Sequence, residues 1–175
     1  MRSVISFLTL LALMHGCTSA VQSPETPAPT ATPEQSQGES LSCALPSGMS
    51  PTERWIEVSL REQVVRLCEG DGVRGEYLAA TGAGDEPETR TFSGLFEVYE
   101  KSDGPLYLWQ YDVYISDWVG FDLEHENGFH SLPMDESGRV LDSRLGLPVS
   151  HGCVRTAQSV AVFEWATIGM TVWVH

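Results

Sequence analysis

Ser150-His151-Gly152-Cys153-Val154-Arg155 is the stretch from which the rest of the chain is read. Six residues carry a hydroxyl, an imidazole, a glycine, a thiol and a guanidinium. A thiol is a good nucleophile only as thiolate; its free pKa is about 8.5, and a neighbouring imidazolium or helix N-terminus lowers it. Both aids are expected here. His151 is close in sequence, and His130 lies upstream after a hydrophobic run. Ala157 to Ala166 reads as a short helix with Thr156 as its N-cap, which places Cys153 just before a helix N-terminus. Gly152 lets the backbone approach a ligand, so the amides of Gly152 and Cys153 are candidates to face a developing oxyanion.

Working outward, the strand signals dominate. Trp55 to Leu60 alternates, Gln63 to Cys68 follows after a tight connection, and Glu69-Gly70-Asp71-Gly72 is a turn into a third strand over Val73 to Thr81. Gly84 to Arg90 is an acidic loop. Leu95 to Tyr99, Leu106 to Ile115, Trp118 to Leu123, Gly128 to Leu132 and Met170 to Val174 read as further strands. Tyr107, Trp109, Tyr111 and Tyr114 form either an aromatic substrate wall or ordinary packing. The pattern predicts a mostly β fold of eight or nine strands with one helix.

His130-Ser131, followed after a gap by Ser150-His151-Gly152-Cys153-Val154-Arg155, resembles the signature of the L,D-transpeptidase (YkuD-type) catalytic domain of bacterial cell-wall enzymes. The resemblance covers roughly Trp55 to His175. It implies a β-sandwich with a short helix after the catalytic cysteine loop. Two departures stand out: Phe92 replaces the proline usual after Thr91, and nineteen residues separate His130 from Ser150, more than is usual. A small hairpin or flap is therefore expected over Pro133 to Val149, beside the site.

The resemblance makes Cys153 the nucleophile and His130 the general base, with the Ser131 carbonyl orienting its imidazole. The residues alone allow either His130 or His151 as base. His151 and Gly152 are assigned to the catalytic loop and oxyanion region. Arg155 suits a substrate carboxylate, or else an ion pair with one of the many acids. Ser150 is a second substrate-binding candidate, or a brace for the loop. His125 and Glu126 with His151 and Cys153 match no standard zinc box, so no metal is expected, nor any organic cofactor.

The N-terminal part reads differently. Residues 1–16 hold Arg2 and an apolar run, Val4 to Met14, too short to span a bilayer. Gly16-Cys17 then looks like a lipoprotein cleavage site with Cys17 acylated. Residues 17–42 carry Pro24, Pro27, Pro29 and Pro33 among polar residues, the composition of an extended tether. The catalytic domain is expected over 43–175. With Cys17 and Cys153 allotted, Cys43 and Cys68 remain as a disulfide in an exported protein.

Net charge is -14, with Lys101 the sole lysine. That balance argues against a nucleic-acid binder, which shows a basic stripe. The expectation is a monomeric, envelope-facing lipoprotein, held to the membrane by its N-terminal lipid and acting on peptidoglycan stem peptides. By resemblance, Cys153 attacks the diaminopimelate carbonyl of a tetrapeptide and transfers the acyl group to an amine. Alternatives are hydrolysis of the same acyl-enzyme, attachment of an envelope protein, or wall-peptide binding without turnover.

Overall fold

Strand β1, Arg54–Ser59, shows why this sequence makes a sheet covered on both sides. Ile56 and Val58 face the main core, while Trp55 and Glu57 alternate to the opposite face. All four are buried. Burying Glu57 requires partners. Arg66 Nη1 lies at 3.4 Å and His175 Nε2 at 2.8 Å from its carboxylate. Trp55 Nε1 donates to the Gly70 carbonyl at 2.9 Å.

The computed structural model describes residues 42–44, 46–48, 50 and 53–175. The expected signal peptide, Cys17 and the tether through residue 41 lie outside the described residues.

After β1 come β2 (Val64–Glu69), β3 (Gly72–Ala80), β4 (Gly94–Glu97), β5 (Glu100–Ser102), β6 (Leu106–Leu108), β7 (Val113–Ile115), β8 (Trp118–Asp122), β9 (Asn127–His130), β10 (Val154–Thr156), helix α1 (Ser159–Trp165) and β11 (Thr171–Val174). Nine strands form one sheet in the order β4-β11-β1-β2-β3-β10-β9-β8-β5, and β6 pairs only with β7. The outermost strands, β4 and β5, are separated in sequence by Val98 and Tyr99 alone. Val98 N donates to Met170 O and Tyr99 N to Gly120 O, each at 2.9 Å. The sheet therefore curls until its ends meet, and Phe96 of β4 packs edge-on against Phe121 of β8 at 5.5 Å. Ile56, Val65, Val119, Phe129, Val154 and Val172 fill the space enclosed. The chain is mostly β, as expected.

Gln63 explains the tight β1–β2 connection. Its backbone sits at φ +56. Its side chain is buried, donating to Leu60 O and Thr81 Oγ1, each at 2.7 Å, and accepting from Thr81 N at 3.0 Å. The turn is thereby fastened to the end of β3.

Three expectations are corrected. Leu106 to Ile115 is a hairpin, not one strand. Tyr111 N donates to Leu108 O at 3.1 Å and Asp112 takes φ +52, so the chain reverses within the aromatic run. The helix begins at Ser159 with Gln158 as its cap residue; Thr156 is instead buried in β10, paired with Ala79 of β3. Cys153 thus precedes a strand, and a helix-terminus charge, which falls off within one turn, does not reach it. Lys101 closes the helix at its other end, donating to Phe163 O at 2.6 Å and Ala166 O at 2.7 Å.

Cys43 and Cys68 are joined as a disulfide with Cα atoms 6.1 Å apart, beneath Trp55 and beside Trp173. It ties the chain entering the domain to β2. Replacing both cysteines by alanine is expected to lower stability by ~2–4 kcal/mol. Urea unfolding of the two proteins reads this directly; equal midpoints would show that the bridge contributes nothing.

Candidate active site

The parallel pairing of β9 with β10 sets Arg155 opposite His130 and Val154 opposite Phe129. Phe129 and Val154 are fully buried, so this pairing is anchored in the core. Cys153, one residue before β10, lies against the turn entering β9: its Sγ points to the Glu126 carbonyl at 4.0 Å. His130 and Cys153 line one cleft of about 480 Å³ together with His125, Glu126, Asp142, His151 and Arg155. A smaller cavity of about 380 Å³ beside Gln63 and Thr91 holds neither thiol nor imidazole.

The loop carrying the thiol is closed on itself and strapped from outside. Ser150 Oγ donates to Cys153 O at 2.5 Å and accepts from Gly152 N at 3.1 Å. Ser150 N donates to Thr81 O and Ala83 N to Ser150 O, each at 2.9 Å. Thr91 Oγ1 donates to Gly152 O at 2.5 Å and accepts from Gly82 N at 2.8 Å. Gly152 takes φ +121, and a Cβ there would collide with Asn127 Oδ1 and the Arg90 carbonyl. Its amide is engaged by Ser150, so the expected oxyanion role does not fall to the Gly152 N–H. Ser150 braces the loop, one of the two roles expected of it, and also lines the cleft.

His130 is buried, and its Nδ1 lies 2.6 Å from the Ser131 carbonyl. A carbonyl only accepts, so Nδ1 carries the proton and Nε2 keeps a free lone pair. Burial pushes His130 down to about 4; the Ser131 carbonyl opposes this in part, and the Arg155 charge adds to it. Burial also raises the Cys153 thiol, to about 11, against a backbone hydrogen bond from Gly128 that acts the other way. The resting pair near neutrality is therefore thiol and neutral imidazole. This corrects the expectation of a thiol lowered by its surroundings.

Two other candidates are placed by the fold. Arg155 is buried and donates from Nη2 to Asp142 Oδ2 at 2.8 Å. The ion pair with an acid, one of the two roles expected of Arg155, is thus present and holds the Pro133–Val149 segment to β10. Asp142 also accepts from Arg144, which foremost holds its carboxyl well below the usual range. His151 is exposed and packs on Tyr111 of the β6–β7 hairpin at 4.5 Å, away from the interior of the loop. The Pro133–Val149 segment adds a small turn to that hairpin through the bridges Tyr114↔Met134 and Met134↔Val140.

Sequence reasoning missed Thr91, Asn127, Asp142 and the pair Asp122–His125. For the last a signal existed: an acid and a histidine three residues apart at a strand end, just before the strand carrying His130.

Residues 53–174 match the L,D-transpeptidase catalytic domain (YkuD-type). The chain belongs to this family. It is 28% identical over 104 residues to YciB of Bacillus subtilis (strain 168), named as a candidate L,D-transpeptidase. That match covers 58% of this chain and 54% of the relative, so the chain spans about half the length of the curated relative it matches. Among solved structures, the L,D-transpeptidase of Xylanimonas cellulosilytica superposes with a TM-score of 0.54 at 23% identity, over 74% of this chain and 64% of that one. An Enterococcus faecium L,D-transpeptidase carrying a cysteine-to-serine substitution matches at 24% identity and a TM-score of 0.54, over 70% and 50% of the two chains. At such identities the superpositions speak for the fold.

The two shifted groups predict a pH profile. Alkylation of Cys153 by iodoacetamide should keep rising with pH towards about 11, where the thiolate becomes the main form. A plateau already reached near neutral pH would mean a resting thiolate. Any step needing neutral His130 should fall only as pH drops through about 4.

Proposed function

We propose that this domain is a peptidoglycan L,D-transpeptidase working through a thioester on Cys153. The observation that carries the reading is a free cysteine and a buried histidine lining one cleft, with the histidine Nδ1 held by a carbonyl so that Nε2 keeps its lone pair. Family membership supports the reaction class.

His130 Nε2 takes the Cys153 proton as Sγ attacks the diaminopimelate carbonyl of a tetrapeptide stem. A tetrahedral oxyanion forms and collapses. The bond to the terminal D-alanine nitrogen breaks, and that amine leaves with the proton from His130. The thioester then passes its acyl group to an amine of a second stem, giving a cross-link. A neutral thiol beside a neutral imidazole makes proton transfer and attack a single coupled event, which is general-base catalysis.

Export and lipid attachment at Cys17 complete the proposal; both concern residues outside those described. They place the enzyme in the envelope, where its substrate is.

The test is incubation of the purified domain with disaccharide-tetrapeptide and analysis of products by mass spectrometry. Cross-linked dimer is the expected product. Tripeptide alone would mean that water is the acceptor, and unchanged substrate would remove the enzymatic reading. Cys153→Ser should abolish turnover, and His130→Ala should reduce it on the order of 10²–10⁴-fold.

A further inference from the structure

A second histidine lines the same cleft, and this one is paired with a carboxylate. Asp122 ends β8 and His125 lies in the turn to β9. The Asp122 carboxylate is buried, with its oxygens 2.9 Å and 3.1 Å from His125 Nδ1 and Oδ1 also accepting from His125 N at 3.3 Å. The carboxylate fixes the Nδ1–H tautomer, leaving Nε2 as a free acceptor. The ring lies flat on Phe92, centroids 3.8 Å apart and planes 19° from parallel. Phe92 is the residue that replaces the expected proline, so that departure coincides with a support for this imidazole.

The pair is close to the nucleophile. His125 and Cys153 line one cleft, and the residue after His125 supplies the carbonyl on which Cys153 Sγ rests. The Asp122 charge reaches the thiol and helps keep it protonated. His125 and His130 flank β9 at opposite ends, with the thiol beside the strand between them.

The two imidazoles differ in what they attract. An amine acceptor arrives as an ammonium and must lose a proton before it can attack. His130 suits this poorly: it is buried, a weak base, and backed by the Arg155 guanidinium, which repels a cation. His125 is exposed and backed by a carboxylate. The neighbouring residue Glu126 and, elsewhere in the lining, Glu88 add negative charge to the cleft. A cation is drawn there.

We propose that His125, oriented by Asp122 and Phe92, is the general base that activates the acyl acceptor, and that the acceptor is a cationic amine. The inference rests on the Cys153 acyl-enzyme described above. His125 Nε2 takes one proton from the ammonium, freeing its lone pair. The amine nitrogen bonds to the thioester carbonyl carbon and the C–S bond breaks, its electron pair going to Sγ. The nitrogen's second proton passes through His130 to the thiolate, restoring the thiol. The proton on His125 goes to solvent. Acylation then depends on His130 without His125, whereas release of the acyl group needs both.

The test separates the two half-reactions in the full chain. Acylation is read by intact mass under single-turnover conditions with the tetrapeptide donor, and turnover by product formation with an amine acceptor. In His125→Gln, acylation should stay within about threefold of the parent. Turnover should fall on the order of 10²-fold, and the thioester should accumulate. Hydroxylamine, unprotonated at neutral pH, should discharge the variant's thioester as fast as the parent's. Asp122→Asn should show the same split more weakly.

Unchanged turnover in His125→Gln, or equal loss in both half-reactions, overturns the proposal, since a latch for the turn would act on both steps or on neither. If His125→Gln does not fold by circular dichroism, His125→Phe, which keeps a ring against Phe92, is judged by the same criteria. A parent enzyme that never forms the Cys153 adduct refutes the underlying acyl-transfer reading instead.

Discussion

The parallel contact of β9 with β10 is the constraint on which the site depends. Parallel neighbours require a long connection, and here the connection is the whole segment from Ser131 to Cys153. That segment contains the Ser131 carbonyl that orients His130, the Asp142 that binds Arg155, and the loop that carries the thiol. Pairing of Val154 with Phe129 in the core fixes the register, and a slip by one residue would turn His130 and Arg155 to the other face. The antiparallel pairing of β10 with β3 holds the opposite edge, and Thr91 and Thr81 fasten the loop to that side.

Burial then sets the chemistry. His130 and Cys153 both prefer their neutral forms, so the two do not rest as a thiolate–imidazolium pair. A neutral thiol is less prone to adventitious alkylation or oxidation. In the proposed reaction the nucleophile is generated only when the carbonyl is in place to receive it. Arg155 contributes from below. Its charge is met by Asp142, yet it still lowers His130, which keeps Nε2 available as a base down to acidic pH.

Much of this was legible in the sequence because it rests on local patterns. The alternation of Trp55 to Val58, the Gly-rich turn before β3 and the six-residue cysteine stretch each carry their structure with them. What was not legible depends on pairing across the sheet. Val154-Arg155-Thr156 reads as an approach to a helix until β3 and β9 claim it as a strand. Any of the many acids could pair with Arg155 until the fold brings back Asp142, thirteen residues earlier. The Gly152 amide looks available until the Ser150 hydroxyl takes it. The aromatic run at Leu106–Ile115 hides its reversal because Asp112, rather than a glycine, adopts the positive φ. His125 drew no role from the sequence beyond a zinc box it does not match, because its carboxylate partner and its aromatic support come from β8 and from the loop before β4.

The central claim is that Cys153 carries the acyl group. Rapid acid quench of the domain with tetrapeptide donor and no acceptor, followed by peptide mapping by mass spectrometry, tests it most directly. The account predicts an adduct equal to the donor less its terminal D-alanine, on the peptide containing Cys153, labile to hydroxylamine as a thioester is. Turnover of the donor with no such adduct, or with the adduct on a different residue, would contradict it.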